Sequence, residues 1–286
     1  MWGIKSGYAL KATGLLLVVI LLLALLLSKN SNTIMRVMVG QEINLKTAGF
    51  NTVNTEHFNI RYTSADENYI KMISEGAEFA SKSISNRFGW DSVRKTTIVV
   101  YPDNQSLASS FGWDKNEKAM GVYWAGSIRV LSPREWLSGD NMEERFLKEG
   151  PMVHEYAHLM VDEISKGNYN RWWTEGVAQY VEKTTTGFQF ADPFAGGRTL
   201  EYYHLDKLGS EFDRLDQQVA YWESLQLVEY MVDKYGEDKI FDILEQLGQG
   251  KSMESAVTIC LGLDYDTFEQ NFYHYLENNW GERCKS

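Results

Sequence analysis

Two histidines four residues apart enclose a glutamate where the chain reads HEYAH, His154 to His158. Positions i and i+4 share one face of a helix. On a helix, His154 and His158 can therefore aim both imidazoles at one ion, and the pattern suits zinc, with Zn–N distances near 2.0–2.1 Å. Glu155 is one position round from His154 and can reach a water at the ion without ligating it. The chemistry of HExxH lies in this economy, two ligands and a general base from one helical turn. The competing reading is an ordinary helix whose histidines pack or cap. The chain has five histidines in all, so the pair is not a by-product of a histidine-rich composition.

Such a site needs a third protein ligand and an open fourth position. The carboxylates downstream are Asp162, Glu163, Glu175 and Glu182. Asp162 shares a face with His158 but lies too far along the axis to close a tetrahedron. Glu163 points away from that face. Glu175 stands 17 residues after His158, enough for the helix to finish, turn at Gly167-Asn168 and start an antiparallel partner. It sits in RWWTEGVAQY, where Thr174 is a polar residue at the helix start and Trp172 and Trp173 can pack on the first helix. Gln179, one turn past Glu175, can hydrogen-bond a ligand from outside the coordination shell. The plain alternative for Glu175 is a solvated glutamate favoured by the helix dipole.

HEYAH followed by WWTEGVAQY resembles the gluzincin metallopeptidases, specifically peptidase MA-like domains and the aminopeptidase N family, in the wider group that includes the thermolysin-like enzymes. Those proteins carry HExxH and then an EGxAxY-type helix with a glutamate as third ligand. The resemblance implies one Zn2+ per chain, held by His154, His158 and Glu175, with Glu155 as general base. YWESLQLVEYM, beginning at Tyr221, resembles the segment in which aminopeptidase N-like enzymes place a catalytic tyrosine, which implies that Tyr221 holds the oxyanion of the tetrahedral intermediate. The alternative for Tyr221 is packing within a helical lobe. The likeness extends over roughly residues 55–280 and is dense at 150–182.

One departure bears on specificity. Aminopeptidase N-like enzymes carry Gly-x-Met-Glu-Asn on the edge strand before HExxH, and its glutamate binds the substrate amine. The corresponding strand here reads as SIRVL (127–131), with Arg129 and no glutamate; NMEERF (141–146) falls in an expected helix. An endopeptidase is therefore expected rather than an aminopeptidase. Arg129 is either a contact for a substrate carboxylate or a solvated strand residue. Tyr202 and Tyr203, beside His204, read first as structural residues and are lesser candidates for the oxyanion role. His57 and His274 read as surface or packing residues.

Bulk composition agrees with a globular body. The chain has 286 residues, is 44% hydrophobic and carries a net charge of −11, which argues against a nucleic-acid partner because phosphate binding needs a basic face. The implied partner is a peptide or protein substrate. Cys260 and Cys284 lie outside any CxxC frame, which disfavours cysteine ligation of zinc; they are either a disulfide in an oxidising compartment or two free thiols.

The leading segment is of another kind. Gly14 to Leu27 reads GLLLVVILLLALLL with no polar side chain. Extending back to Tyr8 gives a helix of about 30 Å, enough to cross a bilayer core, with Lys11 able to snorkel. Lys5 and Lys11 make the leading flank positive and favour an extracytoplasmic remainder. Residues 1–29 are thus expected to be a single-pass membrane anchor, the rival being a cleaved signal peptide and a secreted protein.

The elements that position the site read as follows. Residues 30–50 form a polar stalk without periodicity. Strands are expected at HFNIRYT (57–63), at TTIVVYP (96–102) and as a hairpin around Ala125-Gly126. A helix opens at Ser64-Ala65-Asp66-Glu67, with capping-box spacing, and runs to about Arg87. A short helix spans Asn141 to Lys148, and Pro151 then suits the first turn of the helix carrying HEYAH. Beyond it the chain reads as helices at 172–183, 217–234, 237–247, 253–260 and 266–279. The fold class expected is α+β: a mixed lobe with a small sheet over 51–166, the HExxH helix at the junction, and an all-α lobe over 167–286 supplying the third ligand. Together these readings describe a membrane-anchored zinc peptidase. The alternative is a catalytically silent, peptidase-like binding or assembly module at the membrane.

Overall fold

The computed structural model describes residues 31–194, 200–280 and 284–285. The anchor expected at 1–29 lies outside them, and among the described residues no helix is long and apolar enough to cross a membrane. The chain divides into two compact units, Met1–Ala48 and Gly49–Ser286. In the first, Ser31–Lys46 is a helix, α1, with a Glu42–Lys46 ion pair of 2.6 Å one turn apart. The segment expected as an aperiodic stalk is thus helical. Periodicity reports an amphipathic face rather than helicity, and Ser31–Lys46 contains no proline to break the ladder.

The second unit is α+β and starts with a five-stranded sheet, β1 (Asn51–Asn54), β2 (Phe58–Tyr62), β3 (Thr96–Tyr101), β4 (Gly121–Trp124) and β5 (Ser127–Leu131). Their spatial order is β1-β2-β3-β5-β4. β2, β3 and β5 are mutually parallel, and the flanking β1 and β4 are antiparallel to their neighbours. TTIVVY takes the centre, with Ile98, Val99 and Val100 fully buried, as a β-branched run covered on both faces should be. β4 and β5 form the expected hairpin, with positive φ at Ala125 (46°) and Gly126 (85°), the backbone of a type I′ turn. β1 was not expected from NTVN, which is polar and mostly exposed. SIRVL is β5, an interior strand; the edge strand is β4.

A 3-10 turn at Ser64–Tyr69 precedes helix α2 (Ile70–Phe88), which ends at Gly89 with φ 64°. The capping-box reading at Ser64 does not hold: Thr63 Oγ1 donates to Asp66 Oδ2 at 2.8 Å instead. Then follow α3 (Asn104–Phe111), α4 (Met142–Glu149), α5 (Met152–Ser165) and α6 (Arg171–Thr186). Beyond them lie α7 (Leu205–Glu211), α8 (Gln217–Tyr235), α9 (Asp238–Gly248), α10 (Met253–Leu261) and α11 (Tyr265–Trp280). Short strands Leu200–Glu201 and Cys284–Lys285 pair in parallel. Cys260 is a free thiol.

Helix α5 is the centre of the unit. It packs on α2, β4, α6 and α9. Tyr156 meets Phe58 edge-on at 5.5 Å and accepts a hydrogen bond from Ser81 Oγ at 3.1 Å. The lobes expected at 51–166 and 167–286 share one continuous core, since buried residues of both belong to the same cluster. The turn after α5 is closed by Lys166 (φ 57°) and Gly167 (φ 79°), and Asn168 Nδ2 donates to Leu247 O and Lys251 O, both at 2.8 Å. That turn sends α6 back along α5.

Gly176 lets α6 lie against α8. A Cβ there would come within 2.3 Å of Ser224 O and 2.8 Å of Val228 Cγ2. Gly176→Ala should gain about 1 kcal/mol of helix propensity. Overpacking against a backbone carbonyl costs about 3 kcal/mol or more at its upper end. The net expectation is a loss of about 2 kcal/mol in urea unfolding; an unchanged midpoint would mean that the two helices separate freely.

Candidate metal centre

His154 and His158 leave α5 from one face, and Glu175 meets them from the second turn of α6. Glu175 Oε2 lies 3.5 Å from His154 Nε2 and 3.4 Å from His158 Nε2. The three ligand atoms all fall within 4.8 Å of one another. Ligands at about 2.0–2.1 Å from a tetrahedral ion stand about 3.3 Å apart, so these separations fit zinc without rearrangement. Glu175 Oε2 is buried and makes no hydrogen bond among the described residues. A buried carboxylate oxygen without a donor is costly unless a cation satisfies it, so the donor set is suited to a metal.

The outer nitrogens are engaged. His154 Nδ1 lies 3.1 Å from Glu182 Oε2, and His158 Nδ1 lies 2.6 Å from Thr174 Oγ1. When Nε2 ligates, Nδ1 carries the proton and donates it outward, which fixes ring orientation and raises ligand basicity. Arg171 Nε lies 3.0 Å from Glu175 Oε1, so the other oxygen of that carboxylate is held as well. Burial opposes charge on Glu175, yet the His158 and His154 imidazoles hold its carboxyl well below the usual range. Burial likewise opposes charge on His154, but Glu182 foremost, with Glu175, holds the imidazole well above its ordinary value.

Glu155, beside the ligands, also lies against the sheet edge. Its Oε2 accepts the backbone N–H of Tyr123, on β4, at 2.5 Å. A Cβ on Gly121 would stand 2.6 Å from Pro151 Cβ and 2.9 Å from Glu155 Cγ and Oε1, so glycine is what lets the edge strand close over this carboxylate. Burial pushes Glu155 above the ordinary carboxylate value, against the pull of His154 and His158. The Tyr123 phenol donates to Asp162 Oδ2 and accepts the Gly126 N–H at 2.9 Å, which locks β4 onto α5. Asp162 is therefore occupied away from the centre, as its axial displacement predicts.

Tyr221, half-buried in the first turns of α8, sits beside Arg171 and Glu175. Burial, and next the Glu175 charge, push its phenol well above its ordinary pKa, against Arg171. Gln179 Nε2 donates to Tyr221 O at 2.8 Å and to Glu175 O at 3.2 Å, so it ties α6 to α8 through backbone rather than bonding a ligand side chain. The structure thus brings together His154, Glu155, His158, Glu175 and Tyr221.

Other candidates lie elsewhere. Arg129 is 1% exposed, donates to Ser110 O at 2.9 Å and stacks over Phe111 at 4.5 Å. It is neither solvated nor on the sheet edge, and its contacts hold α3 to β5. Tyr202 stacks on Tyr273 at 4.6 Å, the Tyr203 N–H donates to Glu223 at 2.8 Å, and the His204 side chain is largely exposed beside Glu269. These belong to the packing around α8 and α11. His57 Nδ1 lies 2.6 Å from Glu78, a partly exposed pair.

Sequence reasoning did not assign Glu182, Thr174, Arg171 or the Tyr123 amide their supporting contacts. Two of them were accessible: Glu182 lies seven residues after Glu175, two turns along the same face, and Arg171 four residues before it. The Tyr123 contact has no sequence signal, because a backbone N–H leaves none.

Residues 82–278 match the Peptidase MA superfamily. A Bacillus subtilis (strain 168) protein, described as uncharacterized protein YhcO, is 22% identical over 245 residues, covering 77% of this chain and 70% of the relative. A crystal structure of a two-domain M1 zinc metallopeptidase mutant bound to L-arginine is 12% identical with a TM-score of 0.40, covering 79% of this chain. This chain spans about half of that one, 51% of its length.

Zinc titration of metal-depleted protein is expected to reach one equivalent. Glu182→Gln should weaken zinc affinity by about 10–100-fold, the usual effect of losing a carboxylate behind a histidine ligand. Unaltered affinity would mean that Glu182 does not support His154.

Proposed function

The chain belongs to the peptidase MA superfamily, and from that premise we propose that it is a zinc-dependent peptidase whose metal is held by His154, His158 and Glu175. The observation carrying this reading is the convergence of two imidazole Nε2 atoms on an otherwise unbonded, buried Glu175 oxygen, with the Glu155 carboxylate alongside. A zinc ion bound there would supply Lewis acidity and a lowered pKa for a water near 7.

The chain's own residues do the rest. Glu155, oriented by the Tyr123 N–H, takes the proton of the attacking water and returns it to the leaving amine. Tyr221, a phenol protonated at neutral pH, donates a hydrogen bond to the oxygen on which negative charge develops. Arg171 holds Glu175 from outside. Endopeptidase action is favoured over aminopeptidase action: the edge strand Gly121–Trp124 reads GVYW, with no carboxylate to bind a substrate amine. The apolar run Gly14 to Leu27, with Lys5 and Lys11 before it, supports a membrane-anchored, extracytoplasmic enzyme.

Glu155→Gln should keep one zinc per chain and lower kcat by at least about 100-fold, the scale of general-base catalysis. Tyr221→Phe should lower kcat by about 100–1,000-fold with KM little changed, as loss of an oxyanion donor does. Both are measured by peptide hydrolysis beside metal analysis. Full activity in Glu155→Gln refutes the mechanism. Stoichiometric zinc with no hydrolysis of any peptide by the unmutated protein would make it a silent binding module instead.

A further inference from the structure

A cavity of about 300 Å³ opens beside Tyr221, between the start of α8 and the segment following α6. Its volume is at the small end of the roughly 300–1,000 Å³ range of ligand sites, which suits one large side chain better than a whole cofactor. Phe190, Ala191, Trp222 and Leu225 provide its apolar walls. The remaining polar lining besides Tyr221 consists of glutamines, with no charged side chain among the described lining residues.

The cavity adjoins the metal centre across two of its wall residues, Phe190 and Tyr221. Phe190 meets His154 edge-on at 6.0 Å and Tyr221 at 6.2 Å, so it is shared between a ligand histidine and the cavity wall. The Tyr221 ring, beside Glu175, forms the partition. The inner wall is rigid: Trp222 and Leu225 are buried, and Gln179 is bonded to backbone on both α6 and α8. The outer wall is Phe190, which is 47% exposed and costs free energy while it faces water. A neutral apolar side chain entering here would cover Phe190. A charged one would lose hydration and find no counter-charge in the lining.

Resting on the peptidase reading, we infer that this cavity is the principal specificity pocket. It receives a bulky uncharged side chain, aromatic or long aliphatic, from the substrate residue adjoining the scissile bond. Substrates are then peptides or proteins cut next to an apolar residue.

The test uses the zinc-loaded full chain and a peptide series that differs only beside one bond, carrying Phe, Leu, Ala, Asp or Lys on either side. The kcat/KM for Phe or Leu should exceed that for Ala, Asp and Lys by about tenfold or more, the scale on which a hydrophobic pocket discriminates. Ala191→Trp, at an exposed rim position, fills the cavity without disturbing the core, and should lower the Phe-to-Ala ratio of kcat/KM by about tenfold. Leu225→Trp fills it from within and should act in the same direction. Cleavage with no preference, or with a preference for Asp or Lys, overturns the pocket and leaves the peptidase reading standing. If no peptide is cleaved, that reading falls, and binding alone decides the pocket. N-acetyl-phenylalanine amide is then titrated by NMR against N-acetyl-aspartate amide. Saturable binding of the phenylalanine probe, weakened by Ala191→Trp, upholds the apolar pocket; absence of binding overturns it.

Discussion

Everything in this unit answers to one constraint: α5 places two imidazoles and two carboxylates where water scarcely reaches. His154 and His158 are 9% exposed, Glu155 5% and Asp162 3%. Each polar group left without a partner in such surroundings costs roughly 1–3 kcal/mol, more when charged. The surrounding elements are disposed to meet that cost. α6 contributes Thr174, Glu175 and Glu182 to the histidines, and β4 contributes an amide to Glu155 and a phenol to Asp162. The atom left over is Glu175 Oε2, at the point where both Nε2 atoms converge.

Two close backbone approaches make this possible. Gly121 brings the edge strand against Pro151 and Glu155, and Gly176 brings α6 against Ser224 of α8. The first seals the carboxylate from one side. The second carries Tyr221 to Arg171 and Glu175. Because the polar partners come from a strand, a neighbouring helix and a helix start far along the chain, the site is held by the packing of the whole unit. The sheet and the helical run accordingly share one core.

Much of the local structure was legible. TTIVVY as a central strand, the Ala125-Gly126 hairpin, the end of α2 near Arg87 and the helices from 217 onward follow from side-chain period, β-branching and turn residues, which act over a few residues. The misreadings were of another sort. α1 lacks a strong apolar stripe, and β1 is polar because one strand edge and much of its surface face water. SIRVL reads as the sheet edge because it is the last strand before HEYAH, where the resemblance places an edge strand, but the hairpin folds β4 outside it and buries Arg129.

For the site, the amino-acid sequence by itself determined the components with local geometry: two histidines and a glutamate on one helical turn, and an EG-type helix start 17 residues on, after a turn. A helix repeats every 3.6 residues whatever surrounds it, so ligand spacing within α5 can be read directly. Only the tertiary structure decided which carboxylate meets the imidazoles, which groups hold their outer nitrogens, and that a backbone amide orients Glu155. It alone decided the apolar cavity behind Tyr221. These depend on the angle and closeness at which α6, α8 and β4 approach α5. Packing volume sets that approach, above all the missing side chains of Gly121 and Gly176, and packing is summed over contacts distant in the chain.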